Sequence, residues 1–410
     1  MATKKLQLLT DLPINEPGSS AKDGLNFEEY ATVLSRVAEN TSGPFTIGIF
    51  GDWGTGKTSL MRLIEEKLIS KDKIIPVWFN AWRYEKEDEP LFPLVATIIR
   101  HIEKNSSFLN ILGTKSEELL NALRSIAYGL STEVELGFPG LGNIKTGLDA
   151  KSIVDRGEKL ELDPIKEKSS YIDAYDALDN APIPASVKIV IIIDDLDRCF
   201  PDHAIKLLES IKLILNQPGF IFILGVAKKV LEGYLEHRYQ KDYGIKELQG
   251  EAYLDKIVQL PFHIPPHHSR MDIFWERMID RLDENDQKDF KDLREILIPA
   301  TGSNPRTAVR FINNLLIDRA IYEKIPFDNK LKKIHISFFA VTRSLQLRWQ
   351  HIFKSLSANK QICDDIKENI TTQKTIDYEI LINRGHKSIA EYIQNDKELE
   401  DLLTSEFGQQ

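Results

Sequence analysis

Cysteine is scarce in this chain of 410 residues: two occur, Cys199 and Cys363. Two thiols cannot build a disulfide framework, which excludes a stapled secreted scaffold and points to a reducing cytoplasm. Long apolar runs are missing as well. The longest dense one, VKIVIII at 187–193, falls far short of the roughly 20 residues that a membrane-spanning helix needs. The opening MATKKLQLLTDLP holds two lysines but no apolar h-region, so it does not read as a secretory signal. Positive charge is not in excess. Lys and Arg number 53 against 62 Asp and Glu, a net charge of -9. That balance argues against a protein held on nucleic acid by bulk charge and leaves only a local basic groove open. No internal repeat is evident. What is present is the make-up of a soluble globular protein, 42% apolar and 28% charged, with length for two or three domains.

The expected organisation has three parts. Residues 1–24 hold Pro13, Pro17, Gly18 and a Ser19-Ser20 pair and read as a leader. Residues 25–265 read as an α/β core. Asn26 opens an amphipathic helix in which Phe27, Tyr30, Ala31, Leu34, Val37 and Ala38 share a face. Five strands are expected at 45–50, 74–82, 187–193, 220–226 and 256–264. Most are apolar almost throughout, as parallel strands covered on both faces must be. Between them lie helical patterns: Leu60, Ile64 and Leu68 share one face, and so do Ile205, Leu208, Ile211 and Leu215. The fold class is therefore α/β with a mostly parallel five-stranded sheet. The stretch 105–185 is expected to be an insertion between the second and third strands. It holds a helical pattern, SEELLNALRSIAYGL, and a glycine-dense run, ELGFPGLGNIKTGLD, which reads as a surface loop because no clear strand feeds it. From Pro265-Pro266 onwards the patterns turn helical, so 266–410 reads as a helical C-terminal domain.

Directly after the first strand comes GDWGTGKTS. Gly51, Asp52, Trp53, Gly54, Thr55, Gly56, Lys57 and Thr58 match G-x-x-x-x-G-K-[ST] at every fixed position, with Ser59 following. Glycines let backbone N–H groups turn inward around phosphate oxygens, and the helix that follows adds a dipole favouring an anion. Lys57 would supply a point charge to the β- and γ-phosphates, and Thr58 a hydroxyl to Mg²⁺. Average residue usage would produce this pattern by chance in only about one in a hundred chains of this length.

The third strand ends in IIIDDLDR. Acid at the end of a buried strand is what a nucleotide site requires for its metal. Asp194 would hold Mg²⁺ with Thr58, and Asp195 would polarise the attacking water. Asp197 and Arg198 read as a solvated turn carrying an ion pair. A sharper reading puts Arg198 across a subunit boundary, near another subunit's phosphates.

These motifs, with VWFNAWRYEKEDEPL, DDLDRCFPDHAIKLLESIKLIL, YLDKIVQLPFHIPP and GSNPRTAVRFINN, resemble the KAP family of P-loop NTPases over about 25–320. The resemblance implies an extra strand between the phosphate-loop strand and the acidic strand. It also implies a water-activating acid beside the metal-binding Asp, which fits Asp195, and ATP with Mg²⁺ as cofactors. No N/TKxD guanine signature is found, in agreement. Many relatives carry transmembrane helices inserted in this domain. The insertion here is glycine-rich and polar, as in a soluble member. Relatives often end the fourth strand in Asp, whereas here Val226-Ala227 precede Lys228-Lys229, leaving Lys228 as either a substitute or a surface lysine.

In TGSNPRTAVRFINN, Asn304 suits a helix cap and Pro305 the first helical position. Arg306 and Arg310 then sit at i and i+4, where like charges repel by roughly a few tenths of a kcal/mol. A γ-phosphate between them, or an acidic segment, would remove the conflict. A nucleotide-sensing role is expected for one of the two. Trp82 and Tyr84 read as packing residues, and a phosphate or subunit contact is the sharper, less favoured reading of Arg83. His263, His267 and His268 do not read as a metal site, because Pro265-Pro266 break the spacing. The expected function is an ATPase that works as a conformational switch or small motor, as a homo-oligomer or with a separate effector protein. The family resemblance suggests bacterial defence against phage or plasmids. The alternatives are an ATP-holding scaffold with little turnover and a DNA-dependent ATPase.

Overall fold

Five short segments join into one sheet. They are β1 (Phe45–Phe50), β2 (Ile74–Asn80), β3 (Lys188–Asp194), β4 (Phe220–Val226) and β5 (Leu260–His263). Their order is β2-β3-β4-β1-β5, and every pairing is parallel. The computed structural model describes residues 6–19, 21–136, 183–184, 187–214, 217–243, 250–324, 335–370 and 375–405. The glycine-dense run from 137 onwards and the polar stretch at 159–178 lie outside them.

The central strands β3 and β4 are buried at all seven positions each. That matches their unbroken Ile, Val, Leu and Phe content, since a strand covered on both faces has no polar side to present. The edge strands differ. Burial alternates along β2 and along β5, and each carries a proline, Pro76 and Pro261. Proline is tolerated in edge strands, where its missing N–H need break no ladder bond. Two expected boundaries are corrected here. The fifth strand is only four residues long, because 256 and 257 finish a helix, Gly250–Ile257. The second strand stops at Asn80, whose side chain accepts the N–H of Arg83 and caps a 3-10 turn, Ala81–Tyr84.

Helices connect the strands: α1 (Phe27–Asn40), α2 (Lys57–Ile69), α3 (Leu91–Lys104), α4 (Ser106–Leu112), α5 (Lys115–Leu136), α6 (Pro201–Ile214), α7 (Lys228–Tyr243) and α8 (Gly250–Ile257). Leu94 and Ile98 of α3 and Leu208 of α6 belong to the same buried cluster as Val77, Phe79, Ile191, Ile193, Phe222 and Leu224 of the sheet. Each such side chain contributes about 1.5–3 kcal/mol of burial. Tyr84 packs as expected, stacked on Phe79 at 5.1 Å.

Lys188 opens β3 and is buried. Its ammonium donates to the carbonyls of Glu39 and Thr41 at the end of α1. Desolvation lowers its pKa, partly offset by Glu39. A cation at a helix C-terminus answers both the dipole and the orphan carbonyls. Lys188→Met should therefore lower stability by about 1–3 kcal/mol, read as a shift in urea midpoint at unchanged slope.

By internal contacts the chain forms two compact units, Phe27–Ile264 and a second comprising Met1–Asn26 with Pro265–Gln410. The second unit is helical, beginning α9 (Met271–Ile279), α10 (Glu284–Lys291), α11 (Arg294–Ala300) and α12 (Pro305–Lys324). The leader belongs to it. Leu9 N–H donates to Asn313 Oδ1 at 2.8 Å, and Asn313 Nδ2 returns a bond to Leu9 O at 2.8 Å. Arg281 donates to Thr10 O at 3.1 Å.

Candidate functional site

The strand register brings four strand ends together. Phe50 of β1 pairs with Val226 of β4, and Asn80 of β2 pairs with Asp194 of β3. The carboxyl ends of the strands thus form one edge, with β4 between β1 and β3. Open parallel sheets place their ligand crevices at such an edge.

Residues 51–56 turn from β1 into α2. Gly54 and Gly56 have φ of 86° and 97°, a left-handed backbone that side chains disfavour. At Gly56 a Cβ would also lie 2.5 Å from the ring of Phe27. Gly56 is the N-cap of α2 and offers no side-chain cap. Backbone N–H groups at the start of α2 are therefore presented at the loop. Thr55 closes the turn on Asp52, whose carbonyl accepts both its N–H at 3.3 Å and its hydroxyl at 2.8 Å. Lys57 is buried, and its Nζ donates to Gly51 O at 2.9 Å and Asp52 O at 3.3 Å. Thr58 and Ser59 begin α2 and are partly buried.

Asp194 ends β3, almost wholly buried at 4% exposure. Burial first, then the charge of Asp195, push its carboxyl up to about 6, against hydrogen bonds from Thr58 and the Asp195 N–H; Asp197 adds a further upward push. The structure thus joins Thr58 to Asp194, the pair singled out for the metal. Asp194 Oδ1 passes close to Gly225 of β4, where a Cβ would crowd it at 3.3 Å.

Asp195 follows with φ of 59°, a left-handed conformation that Asp adopts more readily than most residues. Both its carboxylate oxygens are held. Asn80 Nδ2 donates to Oδ2 at 2.8 Å, and Arg198 Nε meets Oδ1 at 2.8 Å. Asn80 is a site residue that sequence reasoning missed. Its amide caps the 3-10 turn with one end and orients Asp195 with the other. The only signal was its place at the end of a strand next to the acidic one.

The DLDR turn departs from expectation. Asp197 is not solvated but 3% exposed, and it does not pair with Arg198. Its Oδ2 accepts Trp53 Nε1–H at 2.8 Å and Ala227 N–H at 3.0 Å, and lies 3.7 Å from Lys57 Nζ. Arg198 turns the other way, to Asp195 and over the Trp82 ring at 5.4 Å. Trp82 is 50% exposed rather than packed. Arg83 is exposed beside it, and Lys228 lies 3.5 Å from Glu232.

Arg306 and Arg310 lie in the helical unit, and both face Asp11 of the leader, at 3.2 and 3.5 Å. The anion that relieves their repulsion in this structure is thus a carboxylate of the chain itself. Among the described residues no group of His, Cys, Asp or Glu is arranged to hold a metal by itself. No helix among them is long and apolar enough to cross a membrane.

Residues 27–322 match the P-loop domain of the KAP family. The chain belongs to the KAP family of P-loop NTPases. This KAP domain is 25% identical over 241 residues to the phage T7 exclusion protein of Escherichia coli (strain K12), covering 53% of this chain and 30% of that protein. The chain therefore spans about 30% of that relative's length. It is also 25% identical over 173 residues to an uncharacterised protein of Methanocaldococcus jannaschii, covering 37% of this chain and 89% of that one. Among solved structures, the Aeropyrum pernix ORC2 protein aligns with a TM-score of 0.37 at 13% identity, over 75% of this chain and 67% of that chain. The Aeropyrum pernix ORC1 protein aligns with a TM-score of 0.36 at 14% identity, over 92% and 81%.

Proposed function

We propose that this KAP domain binds ATP with Mg²⁺ and hydrolyses it as a switch that governs a partner protein. One observation carries the reading: a glycine-turned anion cradle stands beside a buried Asp194 joined to Thr58. The residues fit the group. Asp194 and Asp195 stand side by side at the end of β3, and burial first, then the neighbouring Asp195 charge, raise the Asp194 carboxyl, a cost that a bound cation would relieve. Thr58 and Asp194 would hold the cation, which when bound neutralises charge on the phosphates. Residues 51–59 hold the phosphates and Lys57 meets them with its ammonium. Asp195 accepts a proton from the attacking water once Arg198 or Asn80 releases one of its oxygens. Arg198, Arg306 and Arg310 remain candidates for reporting the γ-phosphate, the last two in exchange for Asp11.

The phage T7 exclusion relative supports a place in defence against phage, with the effector a separate protein or a second copy of this chain. A second reading, an ATP-holding scaffold with little turnover, is favoured by the double engagement of Asp195. Isothermal titration with Mg·ATP decides the first point. Wild type should bind and Lys57→Ala should lose at least about tenfold in affinity, the worth of one charge-assisted contact. Equal affinity in both would sink the nucleotide reading. Turnover measured with and without DNA, over a salt series, tests the DNA-dependent alternative.

A further inference from the structure

Asp197 has no part in the metal and water chemistry just described, yet it is one of the most buried charged side chains of the unit. One of its oxygens, Oδ2, receives the Trp53 indole N–H at 2.8 Å and the Ala227 backbone N–H at 3.0 Å. The same oxygen faces the Lys57 ammonium at 3.7 Å. A carboxylate is kept buried only where donors surround it. Here the donors come from three places: the middle of the phosphate loop, its lysine, and the end of β4. Elsewhere the loop is held by Gly51 N–H to Val226 O at 3.3 Å, by the closed turn from Asp52 to Thr55, and by Lys57 Nζ on the carbonyls of Gly51 and Asp52. Trp53 sits between these pins with 57% of its surface exposed, so packing alone cannot hold it.

We propose that Asp197 is the positioning residue of the phosphate loop. It fastens Trp53 to the end of β4 and keeps Lys57 on the loop's inner side, so that an arriving phosphate takes Lys57 over from Asp197 while Trp53 stays tied. The same carboxylate places a polar group at the end of β4, where the sequence has Ala227. The inference rests on the ATP reading for its ligand, but the tether itself lies within the chain's own residues.

Two variants separate the parts. Trp53→Phe removes the indole N–H and leaves the charge facing Lys57. Asp197→Asn keeps an acceptor but removes that charge. Hydrogen exchange of the peptide covering 51–58, followed by mass spectrometry without nucleotide, reads the tether directly. Trp53→Phe should speed exchange there by about fivefold, the loss of one hydrogen bond, Asp197→Asn should speed it by less because an acceptor for the indole N–H remains, and both should leave the peptides of β3 unchanged. With Mg·ATP, Trp53→Phe should raise KM about fivefold and leave kcat within about twofold, because the chemistry at Asp195 is untouched. The double variant Trp53→Phe/Asp197→Ala should bind no more weakly than Asp197→Ala, since Asp197→Ala already removes the acceptor of the Trp53 bond. A merely structural Asp197 would give additive losses and exchange raised throughout the unit. Unchanged exchange at 51–58 in both single variants overturns the proposal. If Lys57→Ala binds ATP as wild type does, the ATP reading falls, and the exchange data still decide the tether. Trp53 is exposed, so Trp53→Phe keeps the test open should Asp197→Ala fail to fold.

Discussion

Asp195→Asn should abolish at least 99% of phosphate release, about a hundredfold, and leave Mg·ATP affinity within about threefold of wild type. Asn is the right probe for three reasons. It tolerates the left-handed φ of 59° nearly as well as Asp, so the turn after β3 keeps its shape. It retains an oxygen to accept Asn80 Nδ2, so the link to β2 survives. It cannot take a proton from water, which is the one function assigned to the carboxylate. The salt bridge to Arg198 is weakened, and Arg198 is released towards Trp82. Phosphate release under single-turnover conditions, paired with titration of nucleotide, checks the split. Turnover within about threefold of wild type would remove Asp195 from the chemistry and transfer weight to the scaffold reading.

Asp194→Asn should make the metal-free protein more stable at pH 7.5 and no longer able to gain from Mg·ATP. In the folded chain burial and Asp195 raise the Asp194 carboxyl to about 6 from the ordinary 3.8. The folded state therefore holds a proton more tightly than the unfolded state does. Stability contributed by the protonated form is present below the unfolded value, falls as pH rises through the window from about 4 to about 6, and is gone above it. A shift of that size corresponds to roughly 3 kcal/mol at full ionisation. Asn carries no charge to desolvate and recovers up to that amount, on the order of 5 °C in melting temperature. Melting curves in EDTA from pH 4.5 to 8 should slope downward for wild type across the window and run flatter for Asp194→Asn. Adding Mg·ATP at pH 7.5 should raise the wild-type midpoint by binding linkage and leave the variant almost unmoved. A wild-type curve that rises from pH 4.5 to 6 would contradict the charge arrangement described for β3.

The strongly patterned parts of this molecule were legible because their signals are contiguous. GDWGTGKTS lies in nine consecutive residues, and the unbroken apolar runs of β3 and β4 are what a doubly covered strand requires. Pairing of Asp194 with Thr58 followed from motif logic. Weaker patterns were read less well. The apolar and polar residues before β5 mix helix and strand spacing, and tertiary packing settled 256 and 257 into α8. Trp82 was expected to pack because aromatics usually do, but the 3-10 turn capped by Asn80 leaves it outward under Arg198.

By itself, then, the amino-acid order determined the phosphate loop, the acidic strand end, the parallel α/β class and the helical character of the C-terminal region. Each rests on neighbours in sequence, through backbone geometry and periodicity. The tertiary structure alone decided which partners the charged groups found. Asn80 meets Asp195 across 115 positions, Trp53 meets Asp197 across 144, and Asp11 reaches Arg306 and Arg310 from the leader. Such pairings depend on strand order and on which side of a turn a carboxylate faces. A buried charge takes whichever donors the fold brings within reach, and no spacing in the sequence records that distance.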